Sequence, residues 1–136
     1  MIKVAVAGNF FPLHDGHIDH LEKARKLGDY LIAIIGSDEY LKKRDKPIFL
    51  SLENRKKQLK AWVDEVVEVI DTDGTCAKTL RLIKPDIYVK GEDTMKIPLN
   101  ELVACYQINC KVMFGYGKKI YSSSELVRRL DERTTN

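Results

Sequence analysis

The chain has 136 residues, 44% of them apolar and 32% charged, with a formal net charge of +3. That length holds one domain and one core, and excludes two; the composition is that of a soluble globular protein. The mild charge lacks the basic footprint of a nucleic-acid binder, and no apolar run approaches the roughly 20 residues that cross a bilayer.

Ile2 to Ala7 reads as a buried first strand, entered directly from the N-terminus with no secretory signal pattern. A loop and a helix follow to Leu27, with Gly28 as a C-cap. Tyr30 to Ile35 is a second apolar run without strict alternation, as expected for a strand covered on both faces. Residues 39–50 are irregular and basic. Ser51 predicts a helix start, with a helix to about Trp62 and core candidates at Leu52, Leu59 and Trp62. Val66 to Ile70 is a third strand, and Asp71-Thr72-Asp73-Gly74 is a turn. A short helix over 75–83 is stopped by Pro85. Ile87 to Val89 is a fourth strand, and Pro98 lies near the start of a helix to about Gln107. Lys111 to Phe114 is a fifth strand. Ser122 or Ser123 then caps a last helix to about Leu130, with a frayed tail. Strands alternate with helices throughout, which predicts an α/β class, a single Rossmann-like domain with a five-stranded parallel sheet and helices on both faces.

Cys76, Cys105 and Cys110 are odd in number and form no CxxC pair. That fits a reducing cytoplasm and argues against a disulfide framework or a zinc ribbon. Neither nucleic acid nor membrane is expected as a partner.

Chemistry concentrates in Gly8-Asn9-Phe10-Phe11-Pro12-Leu13-His14-Asp15-Gly16-His17. This is a strand-to-helix connection, where backbone N–H groups and the positive end of a helix favour an anion. Two imidazoles there add donors for phosphate oxygens. His20 extends the histidine spacing, but residues at i, i+3 and i+6 fan round a helix, so no metal site is expected. The bland alternatives are polar residues at a helix entrance, a solvated loop for Lys42 to Lys46, a plain helix cap for the serines, and surface pairing of Arg55 with Glu53 or Asp64.

His-Asp-Gly-His fits an HxGH motif, and the whole stretch resembles the signature of the cytidylyltransferase-like nucleotidyltransferases. Ser51-Leu52-Glu53-Asn54-Arg55, Lys84-Pro85-Asp86-Ile87-Tyr88-Val89-Lys90-Gly91-Glu92-Asp93 and Tyr121-Ser122-Ser123-Ser124-Glu125-Leu126 are similar to further motifs of that family, in the same order. The resemblance covers nearly the whole chain and implies one nucleotidyltransferase domain over 1–136.

It also implies the reaction. A phosphorylated acceptor attacks the α-phosphorus of a nucleoside triphosphate in line and expels pyrophosphate, a step that needs placement and charge stabilisation rather than a protein nucleophile. By resemblance His14 and His17 stabilise the transition state, and Gly8, Asn9 and Phe10 bring backbone against the phosphates. Lys46 holds the α-phosphate and acceptor, with Arg44 beside it, and Arg55 contacts the acceptor or braces that loop. Gly91 and Asp93 lie near ribose and base. Ser122, Ser123 and Ser124 hold the β- and γ-phosphates. Mg²⁺ is implied on the triphosphate, mainly through phosphate oxygens and water. Relatives are often dimers, so a homodimer is implied too.

The chain departs from the family pattern at Phe11, where an aspartate is usual, and at Asn9, Arg44 and Glu92. These bear on substrate choice more than on reaction class. Val-Lys-Gly-Glu-Asp is similar to the heptose-phosphate adenylyltransferases, the first 55 residues to the glycerol-3-phosphate cytidylyltransferases, and the size to archaeal-type FMN adenylyltransferases. ATP is favoured over CTP, with a small sugar or polyol phosphate as acceptor. A non-catalytic nucleotide-binding module is the alternative of another class.

Overall fold

The computed structural model describes residues 1–8, 15–37, 51–91, 96–115 and 119–135. The strands are β1 (Lys3–Ala7), β2 (Tyr30–Ile35), β3 (Glu65–Glu68), β4 (Ile87–Lys90), β5 (Lys111–Phe114) and β6 (Tyr121–Ser122). The helices are α1 (Asp15–Arg25), α2 (Leu52–Leu59), α3 (Ala77–Ile83), α4 (Leu99–Gln107) and α5 (Ser123–Thr135). The sheet order is β3-β2-β1-β4-β5-β6. All neighbours are parallel except β5 and β6.

Side chains alternate across a strand, and here both faces are apolar. Val4 and Val6 of β1 join Leu31, Ala33 and Ile35 of β2 and Val89 of β4 on one face, under Leu21 and Ala24 of α1 and Leu59 of α2. Ala5, Ile34, Tyr88 and Val112 take the other face, under Ala77 and Leu80 of α3, Leu102 and Cys105 of α4 and Leu126 of α5. Each large apolar side chain so buried contributes about 1.5–3 kcal/mol, and this two-faced burial explains the unbroken apolar runs of β1 and β2.

Local chemistry sets the ends of the elements. Ser51 Oγ accepts from the Asn54 N–H at 3.3 Å, capping α2. The Asp71 carboxylate accepts from the N–H groups of Lys78 and Thr79 at 2.7 and 3.0 Å and so pins the first turn of α3. Lys84 ends that helix with φ 49° before Pro85.

Four expectations are corrected. The sheet has a sixth strand, two residues long and too short to show any period. α2 ends at Leu59 rather than Trp62, because Lys60 caps it and the chain turns; Trp62 is still partly buried against the core. α5 runs on to Thr135, since the polar stretch after Leu130 contains helix formers and no breaker. Gly28 is not a left-handed cap, as α1 stops at Arg25 and the positive-φ glycines among the described residues are Gly74 and Gly115. A Cβ at Gly28 would lie 2.7 Å from the Ile2 carbonyl oxygen, so the residue is glycine because backbone passes against backbone.

Candidate functional site

In an open α/β sheet the ligand crevice lies beyond the carboxyl ends of the strands where their order reverses. Here that point falls between β1 and β4, and two cavities open there. The larger, about 880 Å³, is floored by Ala7, Phe114, Leu102 and Leu126 and carries Lys90, Lys96 and Arg129. The smaller, about 180 Å³, lies beside Gly8, Gly36, Val69 and Cys76 and includes Tyr88, Lys90 and Glu101. Ala7 and Lys90 line both.

Four of the polar groups are wired together. Tyr88, fully buried on β4, donates its O–H to Glu101 Oε1 at 2.9 Å. The Cys76 N–H, just before α3, donates to Glu101 Oε2 at 3.1 Å. Lys90 Nζ lies 3.5 Å from Glu101 Oε1. Cys76 Sγ and the Tyr88 hydroxyl are 3.2 Å apart. Burial, more than the nearby Glu101 carboxylate, pushes the Cys76 thiol far above its ordinary range. Burial likewise raises the Tyr88 phenol, which keeps its proton and stays a donor.

His17 sits in the first turn of α1, half-buried, with Nδ1 shielded from solvent. His20 is one turn on. Burial is the main cause holding its imidazole below the usual histidine range, and repulsion from His17 adds to it. A Cβ on Gly91 would lie 3.2 Å from His20 Cε1. The structure thus brings the end of β4 against the histidine-bearing face of α1, and Gly91 leaves the room for it. The contact is made by His20, a residue that sequence reasoning weighed only as a metal ligand. Among the described residues no group of three or more His, Cys, Asp or Glu side chains is placed to hold a metal ion.

Arg55 is buried, 1% exposed, and donates from Nη1 to the Gly36 carbonyl at 2.6 Å, past the end of β2. Surface pairing with Glu53 or Asp64 is therefore not its role. Gly8 donates its N–H to the Ile34 carbonyl at 3.1 Å. That donor is spent on the sheet, and Gly8 lines the smaller cavity. His14, Asn9, Phe10, Arg44, Lys46 and Asp93 lie outside the described residues.

Ser122 caps the last helix as its sequence predicts, but the strand that leads into it reverses direction. β6 runs antiparallel to β5, pairing Ser122 with Lys111. Lys111 is level with Ile87 and Val4, toward the amino ends of the central strands. Ser122 Oγ accepts from the Glu125 N–H at 3.1 Å and caps α5. α5 then runs back toward the cleft, which Leu126, Arg129 and Leu130 reach. None of Ser122, Ser123 and Ser124 is among the residues lining either cavity. Reading every connection as a parallel crossover missed this reversal.

An apolar cleft carrying cations at a strand-order switch suits a ligand that has both a ring and anionic groups. The class of protein so defined is a nucleotide-handling α/β domain. Residues 5–129 match the cytidylyltransferase-like family, and the chain belongs to it; it is a nucleotidyltransferase. It is 31% identical to the FAD synthase of Pyrococcus abyssi over 140 residues, 96% of this chain and 93% of that one. It is 45% identical to the glycerol-3-phosphate cytidylyltransferase of Bacillus subtilis over 69 residues, 49% of this chain and 54% of that one. The crystal structure of the lipopolysaccharide core biosynthesis protein from Thermoplasma volcanium superposes with a TM-score of 0.69 at 27% identity, covering 84% of this chain and 93% of that one.

Proposed function

We propose that this chain transfers the adenylyl group of ATP to FMN, releasing pyrophosphate and forming FAD. The observation that carries the acceptor is the larger cleft. Its volume of about 880 Å³ lies toward the upper end of the roughly 300–1,000 Å³ usual for small-molecule sites. Its floor is apolar, and a polyol phosphate has no ring to fill it. Similarity over nearly the full length to a protein named FAD synthase supports the same reading. The expectation of a small sugar or polyol phosphate rested on the lack of an extra enclosing segment, yet this cleft is formed within the fold.

The step balances without a protein nucleophile. An oxygen of the acceptor phosphate forms a bond to the α-phosphorus, the bond from that phosphorus to the bridging oxygen breaks, and pyrophosphate carries the charge away. His17, at the start of α1, donates to phosphate oxygens as charge develops. His14, Lys46 and Arg44 act beside it by family resemblance. Arg55 holds the end of β2 through Gly36, and Gly91 lets β4 close on α1. Mg²⁺ would ride on the triphosphate and neutralise its charge, held mainly by phosphate oxygens and water. Glu101, the buried carboxylate nearest the cavities, fits that arrangement because Tyr88, Cys76 and Lys90 already engage it. The three free, buried cysteines suit a cytoplasmic protein.

A second reading, cytidylyl transfer to glycerol 3-phosphate, is favoured by the 45% identity over 69 residues. Pyrophosphate release separates the two, measured with Mg²⁺ and ATP or CTP against FMN, glycerol 3-phosphate and sugar phosphates. Release with ATP and FMN alone is expected. CTP with glycerol 3-phosphate would establish the second reading. No release from any pair, with no thermal stabilisation by either nucleotide, would remove the triphosphate site altogether. His17→Ala should lower turnover about a hundredfold with the fold retained, as for loss of a preorganised donor.

A further inference from the structure

A carboxylate with almost no exposure is costly unless its oxygens are matched. Glu101 is 4% exposed and matched on both oxygens, by the Cys76 N–H, the Tyr88 O–H and the Lys90 ammonium. The first two come from groups that are themselves buried. The third does not. The Lys90 side chain keeps 24% exposure against 5% for that of Glu101, and it lines both cavities. Tyr88 and Lys90 are two apart on β4, so both point to the face covered by α4. The Lys90 ammonium also lies 5.4 Å from the centre of the Tyr88 ring, an arrangement that favours a cation over an aromatic face. The network therefore holds, by its ammonium, a partly exposed lysine that lines both cavities.

We infer that Lys90 binds the phosphate of the acceptor at the junction of the two cavities, and that the buried Glu101 is the positioning residue holding it there. This rests on the transfer reaction proposed above and adds a residue to it that the family motifs do not assign. The junction suits an acceptor phosphate because Lys90 is the cation that lines both cavities among the described residues. Lys96 and Arg129 lie round the larger cleft. Lys90, level with Ala7 and shared by both cavities, stands between them. Glu101 fixes its reach without neutralising it, since 3.5 Å is a loose ion pair and leaves donors for a second anion.

A purely structural tether between β4 and α4 makes a different forecast, and three variants separate the two. Lys90→Met removes the cation, Lys90→Arg keeps the charge, and Lys90→Met with Glu101→Gln removes both charges so that no buried carboxylate is stranded. FMN and inorganic phosphate binding are measured by calorimetry, and acceptor KM and kcat by pyrophosphate release. Lys90→Met should weaken FMN and phosphate binding and raise the acceptor KM at least tenfold, with the KM for ATP changed less than threefold. Lys90→Arg should recover most of the loss. The double variant should regain thermal stability yet still bind the acceptor weakly. Glu101→Gln alone should give a smaller rise in acceptor KM, with kcat little changed.

Recovery of acceptor binding in the double variant would overturn the inference in favour of a tether. So would an acceptor KM unmoved by Lys90→Met. Anion binding that needs Lys90 in a protein releasing no pyrophosphate would keep the inference and reject the transfer reaction. Absence of both in the wild type would reject both.

Discussion

Tyr88→Phe is the sharpest test of the buried network, because it removes one oxygen and leaves the packing of the ring intact. The phenol is fully buried and gives its proton to Glu101 Oε1 at 2.9 Å. Burial raises its ionisation far above neutral pH, so the donor is constant over any working range. A hydrogen bond to a charged group is worth about 1.5–3 kcal/mol net, and a buried acceptor left short of a donor costs a similar amount. Unfolding entropy of about 2.1 cal/mol/K per residue gives about 0.3 kcal/mol/K for a chain of this length. The Tm should therefore fall by about 5–10 °C, followed by calorimetry near pH 7. The loss should shrink when Glu101→Gln is already present, because the acceptor is then neutral, and a double-mutant cycle measures that coupling. A fall of less than about 2 °C, or a strictly additive cycle, would refute the account of Glu101 as a carboxylate held by Tyr88.

Gly28→Ala should cost about 1–3 kcal/mol in denaturant unfolding, since the new Cβ would meet the Ile2 carbonyl oxygen at 2.7 Å and Val4 Cγ2 at 2.8 Å; an unchanged midpoint would contradict it. His20 carries a pH signature: its folded pKa is depressed, chiefly by burial. The unfolded chain then binds the proton more readily, so this stabilising contribution is complete above the unfolded pKa of about 6.5. It is lost as pH falls from there toward the folded value. Tm measured against pH should decline over that window, and His20→Gln should flatten the decline.

Much of the fold could be read from residue patterns. β2 and β5 fall on their expected residues, and β1 and β4 differ by one residue at an end, because buried parallel strands are apolar throughout and turn residues bound them. Ser51 was legible as a cap because its hydroxyl has a local job. The reversal at β6 was not legible: two residues carry no period, and their pairing is decided by contact with β5. The candidate site divides in the same way. Histidines beside a glycine at a strand-to-helix turn announce themselves in sequence. Lys90 stood inside a recognised stretch but was given no role there, one residue past the expected strand. Glu101 read as an ordinary helix residue, since only the tertiary meeting of α4 with β4 buries it. Arg55 was singled out by family resemblance, with surface pairing as the bland alternative; its burial against Gly36 had no local signal, since only the packing of α2 turns it inward.

The sheet order also bears on how the protein behaves in a crowded solution. The outer strands of the described sheet are β3 and β6, and an exposed strand edge is a template for adding another chain. β3 is four residues long and carries Glu65 and Glu68 at its ends, which contact Tyr30 and Lys56. β6 offers two residues, and its Tyr121 ring lies under the Lys119 and Arg129 cations at 5.0 and 5.1 Å. Short length and charge thus blunt both margins, while the long apolar strands β1 and β2 are kept inside. The arrangement guards the folded chain against edge-to-edge aggregation, and replacing Glu65 and Glu68 together with valine would expose that hazard as concentration-dependent turbidity.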